Sequence, residues 1–224
     1  MKRVVIRELL DEDLGTPEEV RNSLLDLRWF NQNFGGFHCV TTLLARIATK
    51  SRNRSLTFLD VAGGTGDVAD HVSRDLSNHG IKVRVTVLDR AISHMSGPKL
   101  NRVAGDALAL PFSSHSFDVV GCNLFLHHLE PQDMIAFFNQ ALHLARIAVI
   151  ASDLRRNVFH WLMASAGCFL YRSRITRNDA PASVRRAYTL SEMRRIAEQT
   201  AASSYEIEPF FFQRVGVILW KEQP

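Results

Sequence analysis

An apolar run that ends on an acid and passes at once into glycines constrains this chain more than any other feature. Leu56-Thr57-Phe58-Leu59-Asp60-Val61 leads into Ala62-Gly63-Gly64-Thr65-Gly66, and Asp67 then opens a stretch with Val68, Val72 and Leu76 four residues apart. The first run is short and apolar, which predicts a buried strand. The i, i+4, i+8 spacing predicts an amphipathic helix. The glycines between them allow backbone conformations and close approaches that side chains forbid. A strand turning tightly into a helix starts a βαβ unit, and such units need a parallel sheet covered on both faces.

The alternation continues. Strands are expected at 82–89, at Val103 leading into Gly105-Asp106, at 117–123 and at 146–153, with helices between most of them. The tail differs: Tyr205–Glu208 and Phe212–Trp220 are two strand-like runs separated by only a few residues, too few for a crossover helix, so they must pair antiparallel. The N-terminal quarter reads as helices. Thr16-Pro17-Glu18-Glu19 has the pattern of a capping box, Gly35-Gly36 breaks the helix that follows, and a second helix runs from about Cys39 to Thr49. A further capping box, Thr189-Leu190-Ser191-Glu192, opens a helix to about Ala202. The expected fold is therefore α/β: a doubly wound, Rossmann-like, seven-stranded, mostly parallel sheet with an antiparallel last strand. Residues 1–50 form an N-terminal helical cap, and residues 51–224 form the main domain with a helical lid inserted at about 155–187.

Composition narrows the class. Of 224 residues, 46% are hydrophobic and 22% charged, the balance of a chain that buries a large core without staples. Three cysteines, none close to another in sequence and none in a CxxC, suggest neither a disulfide framework nor a thiolate zinc site. The first residues lack the apolar run of a signal peptide, and no uncharged stretch has the length of a membrane span, so a cytoplasmic location is expected. The net charge of +4 permits an anionic partner without requiring one.

In open α/β sheets, ligands bind beyond the carboxyl ends of the strands. Asp60, Asp89, Asp106, Asn123 and Asp153 each follow an apolar run and fall at such ends. One such acid could be a helix cap or turn former; several polar residues at successive strand ends of one sheet edge suggest a site. The glycine turn alone leaves the ligand open, because Gly64-Thr65-Gly66-Asp67-Val68-Ala69 also fits the dinucleotide pattern GxGxxA with Asp89 at a suitable distance.

Taken together, the segments resemble the class I S-adenosylmethionine-dependent methyltransferases of the small-molecule branch. Leu59 to Asp67 looks like their first motif, Asp89 like their ribose-binding acid, and Gly105-Asp106-Ala107 with Leu110-Pro111-Phe112 like their adenine-binding segment. The resemblance covers roughly residues 55–154, and one position departs from it: Ala62 stands where the family often has glycine. It implies S-adenosylmethionine as cofactor, held by Asp60, Ala62, Gly63, Gly64, Gly66, Asp89, Arg90, Asp106, Ala107 and Asn123. Within it, Asp60 would receive the cofactor's amino group, the two oxygens of Asp89 would suit the two ribose hydroxyls, and Asp106 would accept from the adenine amine. Two other classes remain: an NAD-dependent oxidoreductase, and a non-catalytic cofactor-binding protein of the same fold.

Methyl transfer needs orientation and a dry site, and an oxygen acceptor also needs a base. His127, His128 and His160 are the candidates, His127 first, since adjacent histidines on a turn point different ways. No metal site is expected, because no third ligand has suitable spacing. The apolar segment 158–171 is read either as an ordinary buried helix or as a lid over a hydrophobic acceptor pocket, with Trp29, Phe30, Phe34, Phe37 and Trp161 as acceptor contacts. Arginines flank that segment. They read as a solvated face, as a site for an anionic acceptor, or as contact with an anionic membrane surface. The stretch Asn123-Leu124-Phe125-Leu126-His127-His128 does not resemble base-amino methyltransferases, so nucleic acid is not the expected partner. The N-terminal segments around Arg7–Asp11 and Leu27–Asn31 resemble bacterial methyltransferases found beside type III polyketide synthases, which implies a phenolic or quinone-like lipid acceptor methylated on oxygen.

Overall fold

In a computed structural model, which describes residues 1–12, 14–95, 97 and 100–222, two helices precede the first strand: α1 (Pro17–Asn33) and α2 (Gly36–Lys50). Thr16 and Glu19 close the expected capping box on α1, with each side chain bonded to the other's backbone N–H at 3.2 and 2.9 Å. Then come β1 (Ser55–Val61), α3 (Asp67–Asn78), β2 (Lys82–Asp89), β3 (Asn101–Ala104), β4 (Phe117–Asn123), α4 (Pro131–Leu144) and β5 (Ala145–Leu154). The last part holds α5 (Val158–Ala166), α6 (Arg174–Arg186), α7 (Leu190–Ala197), β6 (Ser204–Phe210) and β7 (Arg214–Trp220).

The seven strands form one sheet in the order β3-β2-β1-β4-β5-β7-β6. All pairs from β3 to β5 are parallel, and β7 runs antiparallel to both β5 and β6. The hairpin expected in the tail forms, but its second strand inserts between β5 and the first. Beside β1 the chain reverses its direction of progress across the sheet, from β3 on one side to β4 and β5 on the other. The connections leave that point to opposite faces and open a crevice beyond the strand ends.

Alternation along β1 sorts its side chains. Leu56 and Phe58 join α2 and α3 on one face, and Leu59 and Val61 join α4 and α7 on the other. α2 buries Val40, Leu43, Leu44 and Ile47 in the same cluster as β1 and α3. It thus packs as a layer of the sheet, although the sequence reading grouped it with the cap. Phe37, expected near the acceptor, is buried there and stacks on His71 with ring centroids 4.2 Å apart.

α1, α5 and α6 instead lie across the carboxyl end of the sheet. Asp26 of α1 accepts from the backbone N–H of Arg172 and Ser173 at 2.9 and 3.2 Å, which seats α1 at the start of α6. Segment 158–171 divides into α5 and a 3-10 turn at Gly167–Leu170. Among the described residues, no helix is long and apolar enough to cross a membrane.

Candidate functional site

A cavity of about 570 Å³ opens at the crevice, with the glycine turn on one wall and the helices of the cap on the other. On the first wall, Ala62, Gly64 and Gly66 adopt left-handed backbone conformations with φ of 56°, 52° and 76°. The turn is tight because of its neighbours: a Cβ on Gly63 would lie 2.6 Å from Asp60 Oδ2 and 2.8 Å from Val87 Cγ1. Asp89 holds the turn from β2, with Oδ2 accepting from Gly64 N–H at 2.8 Å and Oδ1 from Ala91 N–H at 2.9 Å. Arg102 braces it from β3, donating to the carbonyls of Gly64 and Thr65 at 3.3 and 2.8 Å. Sequence reasoning missed Arg102, whose place follows from sheet order alone.

Asp60 lines the cavity while 97% of its surface is covered, and among the described residues neither of its oxygens takes a hydrogen bond. Burial, with a smaller contribution from the nearby Asp89 carboxylate, pushes its pKa up to about 7. A cation arriving there would meet a carboxyl that has lost water and gained no donor. Arg90, Asp106, Ala107 and Asn123 also line the cavity. Asp106 is exposed and bonds its own loop through Leu108 N–H at 2.8 Å, and Arg90 donates to the Asp11 carbonyl at 2.7 Å. Gly66 does not face the cavity; it lies at the N-cap of α3.

The opposite wall is aromatic. Trp29, Phe30, Phe34, Tyr171 and Phe212 pack with ring centroids 5.2–5.9 Å apart, mostly edge to face. Trp161 is not among the residues that face this space. His160, Met163, Ala164 and Gly167 share the inward side of α5 at i, i+3, i+4 and i+7, and Trp161 is one position, about 100°, off that line.

Between the two walls lies a polar cluster. His127 is buried, and its Nδ1 lies 2.7 Å from Oδ1 of Asp153, whose Oδ2 accepts the His127 backbone N–H at 3.1 Å. Burial raises the Asp153 pKa, but the charge and hydrogen bond of His127 outweigh it and hold the carboxyl below its usual range. An ionised carboxylate only accepts, so Nδ1 carries the proton and Nε2 is left facing Glu8 Oε1 at 3.8 Å. His128 repeats the pattern: Nδ1 bonds Asp11 at 2.8 Å, and Nε2 lies 4.0 Å from Glu8 Oε2. Glu8 also accepts from Ser183 at 2.8 Å and Arg186 at 3.3 Å, and burial pushes its pKa up to about 7. His160 lies farther along the cavity. Its Nδ1 donates to the Arg155 carbonyl at 3.1 Å, and burial lowers its pKa, which favours the neutral ring.

Glu8, His127 and His128 bring one ligand atom each within 4.8 Å of one another, a set that could hold a divalent cation. The spacing rule that predicted no metal site could not see Glu8. Arg186 already stands 3.3 Å from Glu8 and 3.7 Å from Asp11, which supplies the positive charge a cation would bring. Beyond the cluster, Arg214 is fully buried and donates to Asn31 at 2.9 Å, Asn123 at 3.1 Å, Ser152 at 3.3 Å and the Phe34 carbonyl at 3.0 Å. The Asn123 side chain is thereby committed to holding α1 against β4, since its amide also donates to Asn31 at 3.1 Å.

The first 12 residues complete the site by crossing to α6. Arg3 and Val4 bond the carbonyls of Arg186 and Arg185, and Asp179 accepts from Leu9 and Leu10 N–H.

Residues 58–147 match the family model described as "Methyltransferase domain". The chain carries a methyltransferase domain over these residues. The match spans β1 to the start of β5, which includes the glycine turn, Asp89, Asp106 and the two histidines after β4. Curated relatives of this methyltransferase domain include the Ubiquinone/menaquinone biosynthesis C-methyltransferase UbiE of Methylobacterium nodulans, 38% identical over 124 residues, 49% of this chain and 47% of that protein. Another is the Demethylmenaquinone methyltransferase of Roseiflexus castenholzii, 29% identical over 110 residues, 48% of this chain and 44% of that protein. The aligned part thus spans about half the length of the curated relatives. Among solved structures, the plantazolicin methyltransferase BpumL in complex with a desmethylPZN analog and SAH superposes with a TM-score of 0.67 at 15% identity, covering 96% of this chain and 95% of that one. Human N-acetylserotonin methyltransferase in complex with SAM does so with a TM-score of 0.66 at 11% identity, covering 92% and 57%. Both show the fold.

Proposed function

We propose that this protein transfers the methyl group of S-adenosylmethionine to a small aromatic acceptor, a phenolic or quinone-like lipid, on oxygen. The observation that carries the reading is the His127–Asp153 pair, buried where the glycine-turn wall meets the aromatic wall. Asp60 would take the cofactor's ammonium, Asp89 its ribose hydroxyls, and the Asp106–Ala107 loop its adenine. The acceptor ring would lie against Trp29, Phe30 and Phe34. His127 Nε2 would take the phenolic proton, and the bound cofactor would supply an electrophilic methyl group to the oxygen so freed, the electron pair of the broken carbon–sulfur bond leaving with S-adenosylhomocysteine. The products are the methyl ether, S-adenosylhomocysteine and an imidazolium that gives its proton to Glu8 or to water. Asp153 fixes the tautomer and stabilises the imidazolium.

One observation favours a second acceptor atom. The UbiE relative is by name a C-methyltransferase. The same deprotonation makes a phenolate nucleophilic at its ortho carbon as well as its oxygen, so the pocket geometry would choose between them. The test is transfer of a labelled methyl group to a panel of hydroxylated aromatics and quinols, with NMR locating the label. Turnover on members of that panel is expected. Failure to bind S-adenosylhomocysteine, or transfer to nucleic acid or protein but to no member of the panel, would refute the reading.

A further inference from the structure

α5 is built inside out for a helix in water. It buries His160 and turns Val158, Phe159 and Leu162 toward solvent, where a surface helix places polar residues, with Met163 at the edge between the two faces. The 3-10 turn after it extends the same surface, with Phe169 at 90% and Leu170 at 71% exposure. From the connection between β6 and β7, Phe211 joins at 68%; its ring lies 5.9 Å from Phe212, which lies 6.5 Å from Phe159. Scattered exposed apolar residues are ordinary, but a contiguous group of this kind marks a contact surface.

The charge around the group indicates what it touches. Residues 155–177 contain five arginines and no acidic residue. Arg156, Arg172 and Arg174 pair with Glu192, Asp26 and Glu19 from other segments, while Arg177 is exposed, follows Leu170 by seven positions and is tied to the apolar turn through the Tyr171 carbonyl at 3.3 Å. On the other side, Arg155 is fixed beside Phe211 and Phe212 by its bond to Gln213 at 2.7 Å. Apolar tips ringed by arginine match a bilayer with anionic headgroups: the tips enter the acyl boundary while the guanidinium groups meet phosphates. The surface is also continuous with the cavity, since Met163 and Leu170 face both.

We infer that α5, the turn after it and the β6–β7 connection form a docking surface for an anionic lipid bilayer, through which a lipid-soluble acceptor enters the cavity. The entry route rests on the methyl-transfer reading. The docking does not, because vesicle binding is measured without any turnover, so the two can fail separately.

The experiment is co-flotation of the whole chain with vesicles of phosphatidylcholine alone and of phosphatidylcholine mixed with phosphatidylglycerol. Flotation is expected with the anionic vesicles, weakening as ionic strength rises and falling about fivefold for Arg177→Gln. Phe169→Ser with Phe211→Ser should reduce it at least about tenfold. Both side chains are exposed and neither lines the cavity, so S-adenosylhomocysteine affinity should be unchanged in that variant, which verifies its fold. In the wild type, lipids brominated on the acyl chains should quench Trp161 fluorescence. The inference is overturned if the wild type does not float with anionic vesicles, or if the double serine variant floats as well as the wild type. Self-association abolished by the serine changes, without vesicle binding, would also overturn it and assign the surface to a second copy.

Discussion

Asp60 gives the proposed cofactor site a pH dependence that can be worked out in advance. Burial and Asp89 hold its pKa at about 7 in the empty protein. Binding an ammonium group favours the ionised carboxylate and lowers that pKa, so binding must release a proton at pH values between the lowered pKa and about 7. The sign follows: affinity rises with pH up to the pKa of the empty site and then levels off. With an empty-site pKa of about 7 and a bound pKa well below 5.5, affinity for S-adenosylhomocysteine should fall about thirtyfold between pH 8 and pH 5.5, roughly 2 kcal/mol. Isothermal titration calorimetry measures both parts. The dissociation constant gives the slope, and titration in buffers of different ionisation enthalpy counts the proton released. Asp60→Asn keeps the shape and removes the titration, so it should bind weakly and without the slope. An affinity that stays flat in the wild type, or a variant as steep as the wild type, would refute the reasoning.

Other expectations are more local. Asp153→Asn leaves the packing intact but no longer fixes the His127 tautomer, so turnover on an accepted phenol should fall about 10²- to 10⁴-fold with cofactor affinity unchanged; equal loss of both would mean a structural role only. Ala62 has φ of 56°, which costs an alanine but not a glycine. Ala62→Gly should therefore raise stability by about 0.5–1 kcal/mol in urea unfolding, and a loss of stability would contradict the strained turn. Arg214→Leu leaves Asn31, Asn123, Ser152 and the Phe34 carbonyl short of donors. It should cost about 3 kcal/mol in the same measurement, and a change below about 1 kcal/mol would show that the network carries little.

The fold and the glycine-turn wall were legible in the sequence because each depends on neighbours along the chain. Leu56 to Leu76 encode strand, turn and helix within one segment, and Asp89 and Asp106 announce themselves by following apolar runs. The polar cluster was half legible. His127 and His128 stand at a strand end, but the carboxylate that orients His128 is 117 residues away, and only the docked N-terminus brings Asp11 and Glu8 there. No spacing rule spans such a gap. Arg214 was invisible for a related reason: an arginine opening a strand looks solvated until α1 closes over it. Trp161 shows the opposite error. An apolar segment reveals a lid without its rotation, and it is the rotation that turns His160 inward and leaves Trp161 off the lining.

Residues 3–10 bond residues 179–186, so the polar cluster joins segments made far apart in the course of synthesis. The glycine-turn wall needs only β1 to β4. A growing chain can therefore assemble that wall before residues 3–10 have found their partners, and the cluster around His127 can close only after α6 has emerged. The order separates occupancy from competence: a nascent or N-terminally disturbed chain would hold the methyl donor without the groups that prepare an acceptor. A tag or truncation that displaces Glu8 should act as a selective lesion of the second half of the reaction, which makes the N-terminus the place to uncouple the two.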